Sequence, residues 1–277
     1  MSKRVFGMFV VMFLIGILTA FVGSIAGLGG GVVLVPVLLF LGEEFASFSW
    51  VNPQSIVGIS LVVMIFTGLS SALSYLKHDR VDKKIGYLFL IGSVPGGILG
   101  AWLNQYFKTD GFSLFFGLIM LVVSALFFLP RRQADAPLFK KGMEREKVVD
   151  GQTYTYRMPV AFGLGLSFVV GMLSGLLGIG GGSLLTPAMI LLFSIPPHIA
   201  TATSMFMIFF ASISSSGTHI LLGHVEWAHT LYFIPGAYLG GMIGAKVNRK
   251  LNGKLVEWVL RVLLILIAVR LISQGIG

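Results

Sequence analysis

Residues 23–36 read GSIAGLGGGVVLVP, and residues 174–187 read SGLLGIGGGSLLTP. Both runs lie inside long apolar stretches, where each glycine lowers helix propensity by about 1 kcal/mol relative to alanine. A helix interrupted twice at the same motif, at membrane depth, decides how the rest of the chain is read.

Membrane depth follows from composition. The 277 residues are 56% apolar and 11% charged, with a mean hydropathy of +0.91. Soluble domains carry about 25% charged residues. Apolar runs of spanning length, roughly 18 residues with few charges, fall at 5–22, 56–76, 85–103, 112–129, 160–177, 199–222, 230–245 and 255–272. The expected fold class is all-α, a polytopic helical membrane protein. The net charge of +9 sits mainly in short loops at 77–84, 131–157 and 246–254. Loop lysines and arginines are topology signals retained on the cytoplasmic side. They meet lipid headgroups, so membrane lipids are expected partners and nucleic acid is not. With no cysteine, disulfides and thiolate chemistry are excluded. The N-terminus imitates a secretory signal, with a cleavage-like Ser24-Ile25-Ala26. The same pattern recurs internally at 160–177, so the first segment reads as a permanent helix.

The two glycine stretches match at an offset of 151 residues: Gly27 with Gly178, Gly29 with Gly180, Gly30 with Gly181, Gly31 with Gly182, Pro36 with Pro187. Further on the offset becomes 144, pairing Pro53 with Pro197, Ser60 with Ser204, Met64 with Ile208 and Ser71 with Ser215. GGILGAWL at 96–103 then lies on GGMIGAKV at 240–247. One register held over about 80 residues marks a duplication. The expected domains are a first transmembrane repeat over 1–129, a polar and cytoplasmic linker over 130–158, and a second repeat over 159–277. Each repeat contains a Gly-broken helix hairpin and three spans. If the broken element turns back, the halves are inverted and all three basic loops share one side; if it crosses once, they are parallel. Paired broken helices favour inversion.

A break exposes backbone groups that lipid cannot satisfy, so it must be buried in protein or line a polar cavity. A helix restarting after the break presents unpaired N–H groups and about half a positive charge, which suits an anion. Close helix packing through small residues explains single GxGGG runs equally well. Recurrence with a proline five residues on points towards a substrate-lining break. The expected substrate-binding residues are Gly29, Gly30, Gly31 and Ser60 in the first half, and Gly180, Gly181, Gly182, Ser183, Thr203 and Ser204 in the second. Other polar residues near the breaks are Asn52, Gln54, Ser55, His198 and Thr201. His219, which takes the place of Tyr75, reads as an interfacial residue, and Arg261 reads as a snorkelling anchor. The carboxylates Glu43, Glu44, Asp82, Glu226 and Glu257 all fall near span ends, which disfavours cation transport. Proton coupling would then run through His198, His219 or the substrate. Neither HExxH nor a serine with a positioned base is present, so no enzyme, metal or cofactor is expected.

The paired GLGGG and GIGGG motifs with their prolines, TATS at 201–204, and HILLGHVEW at 219–227 ahead of PGAYLGGMIGA resemble the TauE/SafE family of sulfite exporters. The resemblance covers nearly the whole chain. It implies an inner (plasma) membrane transporter of sulfite, sulfonates or related small organic anions, working by alternating access; a passive channel-like facilitator is the alternative. One departure is Gly58-Ile59-Ser60 where the second half has Ala202-Thr203-Ser204, which suggests more polar contacts from the second half. Substrate, direction, coupling ion and oligomeric state are left open by the resemblance.

Overall fold

The computed structural model describes residues 3–107, 109–126, 142–149, 151–251 and isolated positions beyond. Arg261, Glu257, residues 130–141 and most of the span expected at 255–272 lie outside the described residues. The chain is helical: α1 (Lys3–Ala26), α2 (Gly31–Glu44), α3 (Pro53–Leu76), α4 (Lys83–Asn104), α5 (Thr109–Leu126), α6 (Val160–Leu177), α7 (Gly182–Leu192), α8 (Pro197–Leu221) and α9 (Trp227–Asn248). Among the described residues, five helices are long and apolar enough to cross a membrane, within α1, α3, α4, α6 and α8. α2 and α7 are the short helices that restart after the glycine runs.

Local chemistry sets the helix starts. Asn52 and Ser55 form a reciprocal capping box ahead of Pro53 at the start of α3. Asp82 caps α4 through the Lys84 and Ile85 N–H groups. Gln54 donates to the carbonyls of Asn104 and Phe107 at the end of α4. These three polar residues, expected near the breaks, therefore serve helix ends.

Glycine stripes set the packing. On α9, a Cβ at Gly236, Gly240 or Gly244 would meet the carbonyls of Phe13, Ile17 and Phe21 on α1. On α4, Gly92, Gly96 and Gly100 stand the same way against Leu164, Phe168 and Met172 of α6. Both pairs run parallel, since the contacts advance together along each chain. They use the close backbone approach that small residues permit in membranes. α3 and α8 cross at the centre and run antiparallel: Gly58 meets His224 and Gly68 meets Phe209. Leu14, Leu18, Ile91, Trp102, Val169, Leu231 and Ile243 are exposed on the outer helices, while serines and glycines are inside. That polarity suits a lipid surround and not water.

The expected linker contains structure of its own. β1 (Met143–Val149) and β2 (Gln152–Met158) form an antiparallel hairpin. Arg145 pairs with Asp82, the Tyr156 hydroxyl donates to Asp82, and Lys147 pairs with Asp79. Arg249, just past α9, contacts His78. The basic segments 77–84, 143–158 and 246–251 thus gather at one end of the helices.

Candidate functional site

The two breaks meet where α3 crosses α8. Gly27, Gly29 and Gly30 have φ of +74°, +82° and +90°, and Gly178 and Gly180 have +69° and +65°. Those left-handed values favour glycine and turn each chain back into its half-helix. The carbonyls released by each break are met from the opposite half. Ser60 Oγ donates to Gly178 O at 2.6 Å, and Ser204 Oγ donates to Gly27 O at 2.8 Å. Asn104 Nδ2 reaches Leu176 O at 2.7 Å, and Asn248 Nδ2 reaches Ile25 O at 2.6 Å. Thr186 adds a second donor to Gly27 O at 2.9 Å. Positions matched in the sequence therefore make matched bonds in exchange.

This geometry sorts the ten residues expected to bind substrate. A Cβ on Gly31 would meet Gly178 O, Ser60 and Met64, and one on Gly182 would meet Gly27 O, Ile208 and Ser204. Gly29 and Gly180 press on Met64, with Ile208 also against Gly29, and Gly30 stands against the Thr19 carbonyl. Ser60 and Ser204 are the cross-break donors. Ser183 Oγ bonds Gly180 O at 3.2 Å. Thr203 accepts the Asp82 N–H at 3.0 Å, at the hairpin end of α8.

Gly181 differs from the rest. Its φ is −50°, and a Cβ there would find only Val170 and Leu185, at 3.6 and 3.7 Å. Gly181 and Gly182 border a small cleft between α4, α6, α7 and α8, with a free interior of about 10 Å³ inside about 270 Å³ of space that includes its open mouth, room for roughly one water. Ser93, Ser174 and Ser215 supply its hydroxyls, and Leu185, Met207, Ile208 and Ala211 its apolar wall. Ser93 is 2% exposed, and its Oγ has no hydrogen-bond partner among the described residues. A buried hydroxyl without a partner costs about 1–3 kcal/mol, a cost that a bound acceptor would remove. The start of α7 gives the same wall its partial positive charge. The cleft is therefore an uncharged pocket of hydroxyls beside a helix start. No cluster of metal-ligating side chains occurs among the described residues.

Ser93 escaped the sequence reading because SVPGG at 93–97 looks like a packing segment; Ser174 heads the second glycine motif but was not selected. Ser215 was noted as the match of Ser71. Other hydroxyls, those of Thr67, Ser70, Ser216 and Thr218, bond their own backbone carbonyls about one turn earlier. At the corresponding place in the first half the serines are paired. Ser24 Oγ bonds Ser71 Oγ at 2.7 Å and Gly241 O at 2.9 Å, and the Tyr75 hydroxyl bonds Ser24 O.

The sulfite exporter TauE/SafE family matches residues 12–271 of the chain. The chain is 45% identical to the probable membrane transporter protein YunE of Bacillus subtilis (strain 168), over 97% of this chain and 98% of that protein. It is 24% identical to the probable membrane transporter protein ORF9 of Sinorhizobium sp, over 99% and 96% of the two chains. It is 28% identical to the probable membrane transporter protein YdhB of Bacillus subtilis (strain 168), over 85% and 87%. No solved structure matches.

Proposed function

Because the chain belongs to the sulfite exporter TauE/SafE family and is a membrane transporter, we propose that it is a secondary transporter of small anions and not an enzyme. The substrate class is sulfite, sulfonates or related organosulfur or organic anions, carried by alternating access across the inner (plasma) membrane. The observation that carries this reading is the cleft beside Gly181. It joins a helix start to a buried, unpartnered Ser93 hydroxyl and to Ser174 and Ser215. An anion accepts from hydroxyls and N–H groups, and a helix start favours its charge. Hydroxyls can also accept, so the preference for an anion comes from the partial positive charge of the helix start.

Two further features support the alternating-access part. The matched helices α3 and α8 run antiparallel, and the three basic segments gather at one end, as inversion of the halves requires. A cleft borders the second-half break, whereas at the matching place in the first half Ser24 and Ser71 bond each other, an asymmetry expected of one state in an exchange between inverted repeats.

The test is a thermal-shift panel of sulfite, sulfate, thiosulfate and short sulfonates on detergent-purified protein, followed by uptake into liposomes. Stabilisation by at least one anion and accumulation against its gradient are expected. Equilibration without accumulation would point to a passive facilitator. No response to any anion would refute the anion reading.

A further inference from the structure

His219 was read as interfacial, yet it is fully buried on α8. Its Nε2 lies 3.0 Å from the carbonyl of Gly175, and its Nδ1 lies 2.9 Å from Nδ1 of His224. A carbonyl only accepts, so Nε2 of His219 carries a proton. In a neutral ring Nδ1 must then accept, which makes His224 the donor through its own Nδ1 and leaves His224 Nε2 as the open acceptor. The tautomers of both rings follow from one carbonyl.

The first half shows what this position needs structurally. Tyr75 matches His219 at the offset of 144, and Ser24 matches Gly175 at 151. The Tyr75 hydroxyl donates to Ser24 O at 3.0 Å, just as His219 donates to Gly175 O. Arg80 matches His224, and the two make the same backbone bond: Arg80 N to Tyr75 O and His224 N to His219 O. A donor to that carbonyl is all the fold demands, and tyrosine meets the demand. The second half places two titratable rings where the first has a phenol and a permanent cation.

The pair also adjoins the cleft. Ser215 lies four residues before His219, on the same face of α8, and Ser174 precedes Gly175. The described residues lining the cleft carry no charge. A desolvated anion there needs more than the partial charge of α7. We infer that the His219–His224 pair binds a proton together with the anion held in the cleft, making the proton a co-substrate. This rests on the anion reading of that cleft.

The transfer balances simply. A proton adds to His224 Nε2 while the proton on His224 Nδ1 passes to His219 Nδ1. His224 stays neutral in its other tautomer, and His219 becomes an imidazolium with Nε2–H still on Gly175 O. The titratable group facing His219 is His224. From α6 it meets the Gly175 carbonyl, and α3 sets Gly58 against the backbone of His224. Glu226 follows His224 by two residues, and His229 stacks on Trp50 at 4.3 Å. Asp82, Arg145 and Lys147 cluster at the other end of α8, beside Thr203.

The experiment is calorimetric titration of the full-length protein in detergent with methanesulfonate, sulfate and thiosulfate, none of which takes up a proton near neutral pH. Paired buffers of different ionisation enthalpy report protons taken up per anion bound. Wild type is expected to take up close to one proton, with affinity weakening about tenfold per pH unit above the titration of the pair. His219→Gln keeps a donor for Gly175 O but cannot titrate, so affinity independent of pH and no uptake are expected. His224→Gln is expected to reduce the uptake. Binding by wild type with no proton uptake overturns the coupling and leaves the anion site standing. Failure of all three anions and of sulfite to bind folded protein overturns both.

Discussion

Replacing Ser60 and Ser204 in turn with alanine tests how the breaks are held. Each substitution removes one hydroxyl and keeps the Cβ, so little packing changes. Ser60 is the only donor to Gly178 O among the described residues, at 2.6 Å, and both groups are buried. Its loss leaves a membrane-depth carbonyl unsatisfied, at about 1–3 kcal/mol, or roughly 5- to 150-fold in the unfolding equilibrium. Gly27 O keeps Thr186 at 2.9 Å when Ser204 is truncated. Ser204→Ala therefore costs about 0.6 kcal/mol, the usual worth of one membrane hydrogen bond. Thr186→Ala on top of Ser204→Ala should add more than either alone, because the second removal orphans the carbonyl. The assay is reversible unfolding in mixed micelles with increasing detergent denaturant. Equal costs for Ser60→Ala and Ser204→Ala, or a strictly additive double variant, would refute the account of the breaks as mutually satisfied.

Gly181→Ala places a methyl in ordinary contact with Val170 and Leu185 at the cleft wall, on an ordinary helical backbone, so stability should stay within about 0.5 kcal/mol while the anion response falls at least tenfold. Gly182→Ala drives a methyl onto Gly27 O and Ser204 and should cost about 3 kcal/mol or prevent accumulation; thermal shift with and without anion separates the two. Ser93→Ala removes an unpartnered buried hydroxyl and should leave stability unchanged or raise it by about 1 kcal/mol, yet weaken anion binding in the same titration. For the hairpin, burial pushes the Asp82 carboxyl up, but the Tyr156 hydroxyl, the Arg145 guanidinium and the Ile85 N–H outweigh it and hold it below the usual carboxylate range. A lowered folded-state value gives stability that is present above the unfolded value, near about 3.9, and lost as pH falls through the folded one. Limited proteolysis should therefore find the hairpin docked at neutral pH and released only in acid, whereas Asp82→Asn should loosen it at neutral pH.

What could be read from the sequence was whatever one residue type signals by itself. Runs of apolar residues fix spans, and a glycine cluster followed by proline fixes a break. The hairpin left one mark as well: Asp150-Gly151, between Val148-Val149 and the Thr/Tyr alternation at 153–156, is a turn signal, obscured by the charge content that made the stretch read as a linker. The fate of each glycine was not legible. Gly181 and Gly182 are neighbours of one type, but one faces a cleft and the other a carbonyl, and only the crossing of α3 over α8 decides which. His219 carries no sequence mark of burial, since its partners lie on α6 and in the loop beyond α8. Ser93 is invisible for the same reason: an unpartnered hydroxyl is a property of its surroundings.

The reciprocal bonds bear on how such a protein could move. Gly27 O is held by Ser204 and Thr186, and Gly178 O by Ser60, so each half-helix is anchored by side chains of the other half. Rearranging one break alone would orphan carbonyls in a medium that cannot satisfy them. On the alternating-access reading, the low-cost path is one in which both breaks shift together and the donors stay paired. Met64 and Ile208 occupy the crossing between the breaks: Met64 stands against Gly29, Gly31 and Gly180, and Ile208 against Gly29 and Gly182. Of the two, methionine is the unbranched and adaptable side chain, suited to follow a backbone that changes shape around it. Closure of the second-half cleft would then accompany the parting of Ser24 from Ser71. On that reading, Ser24, Ser71 and Gly241, outside the cleft itself, would be the contacts whose strength sets the balance between the two states.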